Sequence, residues 1–179
     1  MDVSGSVSDD FIARSQRFLD VLVDSFRVAA DATSIAVLMF SDSVTPLTDR
    51  LAPFVNTSSA AHAALGLLRS SSTGTAIGKA LRYVRRQVVP LARSGIQTAL
   101  VIMTDGFTGE DPVSIAVTEA TLLKNLGVRV LPVGIAETIN ATMLNELATS
   151  PETVFALPNI ADDLVGLLAT DLAIVNCYG

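Results

Sequence analysis

The stretch TALVIMTD, residues 98–105, sets the fold class of this 179-residue sequence. An unbroken apolar run, residues 99–103, ends there at a threonine and an aspartate. Such a run is typical of a strand that is buried on both faces, as in a parallel sheet. Two other runs have the same character, SIAVLMF (34–40) and GVRVLPVGIA (127–136). The sequence therefore predicts three buried strands.

Weaker strand signals lie on either side of these runs. The stretch VTPLTDRLAPF (44–54) contains two prolines and predicts an edge strand followed by a turn, and TVFAL (153–157) predicts a strand at the opposite edge. Apolar residues at helical spacing predict a helix that begins after Ser8 and further helices over 58–68, 76–89, 113–126, 140–148 and 160–175. Strands that alternate with helices indicate an α/β fold, doubly wound, with a mostly parallel sheet flanked by helices.

Length and composition agree with one domain over residues 1–179. Half of the residues are hydrophobic, only 5% are aromatic, and there is no tryptophan. The core must therefore consist mainly of Ala, Val, Leu and Ile, which is the usual material of a parallel sheet covered by helices.

Charge and hydropathy exclude two classes of partner. A formal net charge of −6 and a pI near 4.6 argue against nucleic-acid binding, which needs clustered Lys and Arg. The local basic group Arg82, Arg85 and Arg86 lies at helical spacing and predicts a solvated helix face. No apolar run approaches the roughly 18 residues of a membrane helix, so we expect no direct membrane insertion.

Oxygen-bearing side chains gather where the predicted strands end. Asp105 ends the strand 98–105, and the N-terminal stretch DVSGS carries Asp2, Ser4 and Ser6 at alternate positions. The loop RSSSTGT (69–75) adds two threonines before a predicted helix. Because ligands of open parallel sheets gather at the carboxyl ends of the strands, these oxygens can converge on one small, hard cation. Taken singly, each residue is also an ordinary turn or cap former.

Three motifs in this order resemble the von Willebrand factor type A domain, also found as the integrin inserted domain. DVSGS resembles the D-x-S-x-S motif of that family, TGT (73–75) its separate threonine, and MTDG (103–106) its distal aspartate. The resemblance implies a metal-ion-dependent adhesion site formed by Asp2, Ser4, Ser6, Thr73 and Asp105. It favours Thr73 over Thr75, because the family uses the first threonine of the pair. It also implies a Mg²⁺ or Mn²⁺ ion, held directly by the serines and through water by some other ligands.

The ligand chemistry agrees with the resemblance. Hydroxyl, carboxylate and water are hard ligands that suit Mg²⁺, Mn²⁺ or Ca²⁺ and do not select zinc. With few direct carboxylates the ion stays electrophilic, and it can accept an Asp or Glu side chain of a protein partner in an open coordination position. We therefore expect a divalent-cation-dependent binding domain for adhesion or matrix interaction, extracellular or at the cell surface.

Two other functions stay open. The same fold also serves as a scaffolding module in intracellular, cytoplasmic complexes. A metal-dependent phosphatase would need a nucleophile and a general acid beside the ion, and the nearby serines supply no obvious base. His62 is the only histidine, and neither a G-x-S-x-G elbow nor a complete P-loop occurs, so we expect no enzyme.

One part of the expected fold has no counterpart in the sequence. In the family an apolar strand at the middle of the sheet precedes D-x-S-x-S, whereas only Met1 precedes Asp2 here. We expect unpaired ladder groups on both neighbouring strands, unless upstream residues supply the strand or the sheet closes or opens differently. If the strand is absent, Asp2 is expected at a frayed terminus.

Two features bear on the compartment. The resemblance implies that Cys177, the single cysteine, is half of a bridge to a cysteine before the first strand; the alternative is a free intracellular thiol. Glycosylation sequons at Asn56 and Asn140 are compatible with secretion.

Overall fold

The computed structural model describes residues 1–71, 73–109, 112–151 and 154–156. In these ranges the strands are β1 (Leu38–Phe40), β2 (Val44–Pro46), β3 (Ala99–Thr104), β4 (Arg129–Gly134) and β5 (Phe155–Ala156). The five predicted strands are confirmed, and β1, β2, β3 and β4 are shorter than the stretches that predicted them.

The helices also follow the predicted order. They are α1 (Asp9–Asp24), α2 (Ser58–Leu65), α3 (Ile77–Tyr83), α4 (Val113–Asn125) and α5 (Ala141–Leu147). The predicted helix 76–89 does not stay α-helical, because α3 continues as a π-helical segment, Val84–Val88, and a 3₁₀ turn, Val89–Leu91. The predicted helix 160–175 and Cys177 lie outside the described residues. No helix in the described ranges is long and apolar enough to cross a membrane.

Helix α1 begins where the sequence predicts it. The Ser8 hydroxyl accepts a hydrogen bond from the Phe11 backbone N–H, and Asp9 and Asp10 place negative charge in the first turn. One face of the helix is buried through Ile12, Ser15, Phe18, Leu22 and Val23. This apolar face holds α1 against the sheet and α2.

The strands form two hydrogen-bonded sheets. β3, β4 and β5 are parallel in that order, and β1 pairs antiparallel with β2. Successive residues of β4 point to opposite faces, so Val130 packs in one core cluster while Leu131 and Val133 pack in the other. Phe18 and Leu65, from α1 and α2, lie in the cluster with Leu131; helices α3 and α4 cover the opposite face. Helices on both faces make the fold doubly wound.

Residues 1–3 connect the two sheets. The Met1 amino group donates to Leu38 O and the Phe40 N–H donates to Met1 O, while on the other side Asp2 N–H donates to Met103 O. Asp2 is fully buried. The expectation of a frayed terminus at Asp2 is therefore wrong, because hydrogen bonds to both neighbouring strands hold this short segment. Apart from these bonds, β1 and β3 belong to separate hydrogen-bonded sheets.

The predicted solvated basic face is confirmed for Arg82 and Arg86, which are exposed, whereas Arg85 is half-buried. Arg82 and Arg85 also each donate from Nε to the carboxylate of Glu119 at 2.7 Å, a pairing that the sequence pattern did not predict. Glu119 is buried in α4, and the hydrogen bond from Arg85, followed by that from Arg82, lowers the pKa of its carboxyl group. The arginines therefore join α3 and the π-helical segment to α4.

Candidate metal centre

The DVSGS loop folds around its own aspartate. Asp2 Oδ1 accepts a hydrogen bond from the Ser4 backbone N–H at 2.9 Å, and the Ser4 carbonyl accepts one from Val7 N–H. This turn brings the Ser4 and Ser6 hydroxyl oxygens to 3.1 Å from each other. Ser4 is buried and Ser6 is exposed, so this pair of serines lies at the boundary between the interior and the surface.

The Asp2 carboxyl group is buried, and its pKa is raised. Burial is the main reason why its pKa is raised, and the nearby charge of Asp105 acts in the same direction. Hydrogen bonds from Ser4 and from the Thr104 hydroxyl oppose the shift. A cation bound beside Asp2 and Asp105 would offset the repulsion between their carboxylates.

Asp105 is fixed by the turn that follows β3. Its Oδ1 accepts from Phe107 N–H at 2.9 Å, and its carbonyl accepts from Asn140 N–H at 2.8 Å. Gly106 has φ of +79°, and a Cβ there would lie 3.0 Å from Asn140 O. A glycine is therefore required next to Asp105 both by the backbone conformation and by the close approach of the α5 N-terminus.

Thr104 is a site residue that sequence reasoning missed. Its hydroxyl donates to Asp2 Oδ2 at 2.7 Å and accepts from Gly106 N–H at 3.1 Å. It thereby links the first loop to the turn that holds Asp105. The available signal was weak: a threonine that ends an apolar strand directly before the aspartate.

The loop with the two threonines lies against the DVSGS loop. Gly5 N–H donates to Thr73 O at 3.0 Å, and Ser71 N–H donates to Val3 O at 2.7 Å. Thr73 is exposed, and its hydroxyl is 2.7 Å from that of Ser71. Thr75 is buried, and its carbonyl accepts from Gly109 N–H. The sequence-predicted residues thus meet at one end of the sheet, with Thr73 at the surface of the group.

The donor set suits a hard divalent cation. Within the described ranges, no three His, Cys, Asp or Glu side chains form a group that could hold a metal. An ion at this place would have two carboxylates, Asp2 and Asp105, and would take its other protein ligands from hydroxyl groups. Such oxygen donors, completed by water, are the ligands that Mg²⁺ and Mn²⁺ accept.

A family comparison agrees with this geometry. The profile described as "von Willebrand factor type A domain" matches residues 1–169. The chain therefore belongs to the von Willebrand factor type A domain family, and the resemblance seen in the three motifs is confirmed.

Similar curated proteins are much longer than this chain. The human collagen alpha-6(VI) chain is 30% identical over 173 residues, which cover 92% of this chain and 7% of the collagen chain. Cuticlin-6 of Caenorhabditis elegans is 25% identical over 178 residues, which cover 99% of this chain and 30% of the cuticlin. This chain thus spans less than a third of the length of either relative.

Solved structures share the fold. Proximal thread matrix protein 1 from the mussel byssus, described with a zinc-occupied metal-ion-dependent adhesion site motif, has a TM-score of 0.80 and 26% identity, with 94% of this chain and 44% of that chain covered. The manganese-loaded TRAP protein of Plasmodium vivax has a TM-score of 0.79 and 19% identity, with 94% and 69% covered. The second likeness is evidence for the fold alone.

Proposed function

We propose that this domain binds one divalent cation through Asp2, Ser4, Ser6, Thr73 and Asp105, and through that ion captures an acidic side chain of a protein partner. The observation that carries the proposal is the meeting of three separate loops: Ser4 and Ser6 with hydroxyls 3.1 Å apart, buried carboxylates beside them, and Thr73 bonded to the same loop. The family and the zinc-occupied motif of the mussel protein support it.

Burial divides the roles among these residues. Asp2 and Asp105 are shielded from water and already accept hydrogen bonds from the backbone, so they supply negative charge close to the ion. Ser6 and Thr73 are exposed and face outward. An ion held in this way keeps a coordination position open to solvent, where a carboxylate of the partner can replace water.

The surface around the ion would select the partner. Phe107 follows the Asp105 turn and is 45% exposed, although it is a large apolar side chain. An aromatic ring beside an acid-binding ion favours a partner that presents an apolar residue close to its Asp or Glu.

An extracellular or cell-surface setting is part of the proposal. The collagen chain, the cuticlin and the thread matrix protein support it, and no observation favours the intracellular scaffolding role. A phosphatase also finds no support among the described residues. The single histidine, His62, has both ring nitrogens bonded to Asp20 and Asp24, between α1 and α2.

Isothermal titration of metal-stripped protein with Mg²⁺, Mn²⁺, Ca²⁺ and Zn²⁺ tests the ion site. We expect one ion per chain, and we expect Asp105→Ala to lose it while staying folded by circular dichroism. Asp31→Ala is the matched control, because Asp31 is an exposed acid that forms an ion pair with Arg27, away from the candidate ligands. Chelator-sensitive binding that survives in Asp105→Ala would contradict the ligand set.

A second titration separates the two threonines and tests the captured group. Thr73→Val is expected to lower the affinity of the protein for the ion at least tenfold, whereas Thr75→Val is expected to leave this affinity unchanged. Immobilised peptides that contain a single Glu, or Gln in its place, then test acid capture with the ion present. Equal retention of the protein on both peptides would contradict capture through the metal.

A further inference from the structure

The two glycosylation sequons lie in different structural settings. The first, NTS at Asn56, follows the bridge between Ile35 and Val55 and leads into α2. The second, NAT at Asn140, begins α5. Both have the pattern that accepts an N-linked glycan in a secreted protein. Since a glycan is bulky and projects into solvent, the packing around each asparagine decides which of the two can carry one.

The side chain of Asn56 leaves its amide nitrogen accessible. Asn56 is exposed, and its Oδ1 atom accepts a hydrogen bond from the Ser34 hydroxyl at 2.7 Å, which orients the carboxamide group. In the part of the chain that the structure describes, the Nδ2 atom of Asn56 has no hydrogen-bond partner. Nδ2 is the atom that forms the bond to a glycan. The fold thus leaves unused the one atom that the modification needs.

The backbone on either side of Asn56 is held by other residues. Ile35 and Val55 exchange two backbone hydrogen bonds, of 3.0 and 2.7 Å. Thr57 is extended, and its hydroxyl caps α2 by accepting a hydrogen bond from Ala60 N–H at 3.2 Å. A glycan on Asn56 therefore displaces no contact that holds the bridge or the start of α2.

Asn140 is in the opposite situation, because the fold uses both its side chain and its backbone. Its Oδ1 atom caps α5 by accepting from Met143 N–H at 3.1 Å, and its backbone N–H donates to Asp105 O at 2.8 Å. Asn140 is half-buried, and its Cβ would lie 3.3 Å from a Cβ placed at Gly106. A glycan on Asn140 would therefore crowd the turn that holds Asp105.

The two asparagines also differ in their distance from the candidate metal centre. Asn140 is bonded directly to Asp105, one of the proposed ligands. Asn56 follows the bridge to Ile35, whereas the DVSGS loop begins next to Phe40. From residue 35 to residue 40, an extended chain covers about 17 Å. A glycan on Asn56 would thus leave the surface around the ion open to a protein partner.

We propose that, in the secretory pathway, Asn56 receives an N-linked oligosaccharide and Asn140 stays unmodified as the cap of α5. The assignment rests on the extracellular setting included in the proposed function. In the reaction, Nδ2 of Asn56 forms a bond to the anomeric carbon of an oligosaccharide that is attached to a lipid diphosphate. The bond between that carbon and the diphosphate breaks, the lipid diphosphate leaves, and the amide releases a proton.

The experiment produces the chain behind a cleavable secretion leader in animal cells. Protein is collected from the medium and from the secretory compartments, so that poor secretion does not hide the result. An amidase that removes N-linked glycans converts each modified asparagine to aspartate, and peptide mass spectrometry then identifies the modified position. We expect one glycan per chain, at Asn56.

Three variants test the assignment. Ser58→Ala removes the hydroxyl that the first sequon requires, and it should abolish the modification although Asn56 is still present. Ser58→Thr is the matched control, because it keeps a hydroxyl at this position and should preserve the glycan. Asn140→Gln should leave the glycan unchanged.

Two results would overturn the proposal. They are an unmodified Asn56 in chains that have entered the secretory compartments, and a glycan on Asn140 in the secreted protein. The titration of metal-stripped protein is made without any glycan, so neither result would alter it. The leader supplies entry into the pathway, so the experiment tests the two acceptor positions separately from the ion site and from the natural setting of the protein.

Discussion

Thr104→Val tests whether the hydroxyl of Thr104 holds the metal centre together. The substitution keeps the shape of the side chain and removes its hydroxyl. Asp2 Oδ2 then loses a donor at 2.7 Å, and Gly106 N–H loses its acceptor at 3.1 Å. Thr104 and Asp2 are both fully buried, so water cannot replace these bonds without rearrangement.

The magnitude follows from the two bonds. A hydrogen bond to a charged group contributes about 1.5–3 kcal/mol to stability, and one between neutral groups about 1 kcal/mol. Loss of both is expected to lower the free energy of unfolding by about 2–4 kcal/mol. With a urea dependence of about 2 kcal/mol per M, the midpoint should fall by about 1–2 M.

Urea denaturation of the metal-free protein, followed by circular dichroism at pH 7, measures this change. Thr121→Val is the matched control, because its hydroxyl only donates to Val117 O on an exposed part of α4. We expect the control to stay within about 0.5 kcal/mol of the unsubstituted protein. If Thr104→Val is as stable as the control, the Thr104 hydroxyl does not join the two loops.

Three further outcomes are expected. Glu119→Gln should lower the free energy of unfolding by about 1–3 kcal/mol at pH 7 in urea denaturation. Because the pKa of the Glu119 carboxyl group is lowered in the folded protein, the difference in stability between the two proteins should shrink as the pH falls below 4.5. A difference that stays constant with pH would contradict the pairing with Arg85. The hydrogen bonds to Asp20 and Asp24 raise the pKa of His62 in the folded protein. The stabilisation by His62 should therefore be complete below pH 6.5 and should disappear as the pH rises through the pKa of the folded protein. Equal loss of stability in His62→Ala at pH 5.5 and at pH 9 would refute this. Gly106→Ala should lower the free energy of unfolding by at least about 1–2 kcal/mol and weaken Mg²⁺ binding in titration, because residue 106 has a positive φ and Asn140 is close. An unchanged melting temperature together with an unchanged affinity for Mg²⁺ would contradict this prediction.

Local sequence patterns predicted much of the fold. Apolar runs marked β3 and β4, and Ser8 marked the start of α1, because burial period and helix capping depend on residues close in sequence. The pattern did not predict one ion-paired contact. Arginines at helical spacing indicate a solvated face unless a buried acid is opposite, and Glu119 is supplied by another helix.

Contacts between distant residues could not be predicted in this way. The bond between Thr104 and Asp2 joins residues 102 positions apart, and the position of Thr104 before Asp105 is only a weak local signal for it. His62 similarly meets Asp20 and Asp24 only because α1 packs against α2. Each of these contacts depends on the packing of elements, which a local pattern does not encode.

By itself the sequence determined the α/β class and the order of the strands and helices, which follow from side-chain chemistry and short-range spacing. It also placed oxygen-bearing residues at the ends of strands, and the resemblance to the family selected the candidate metal ligands among them. Only the tertiary structure decided that Asp2 is buried rather than frayed and that Thr104 orients it. The physical reason is that burial and hydrogen-bond partners at the N-terminal segment come from two strands far along the chain.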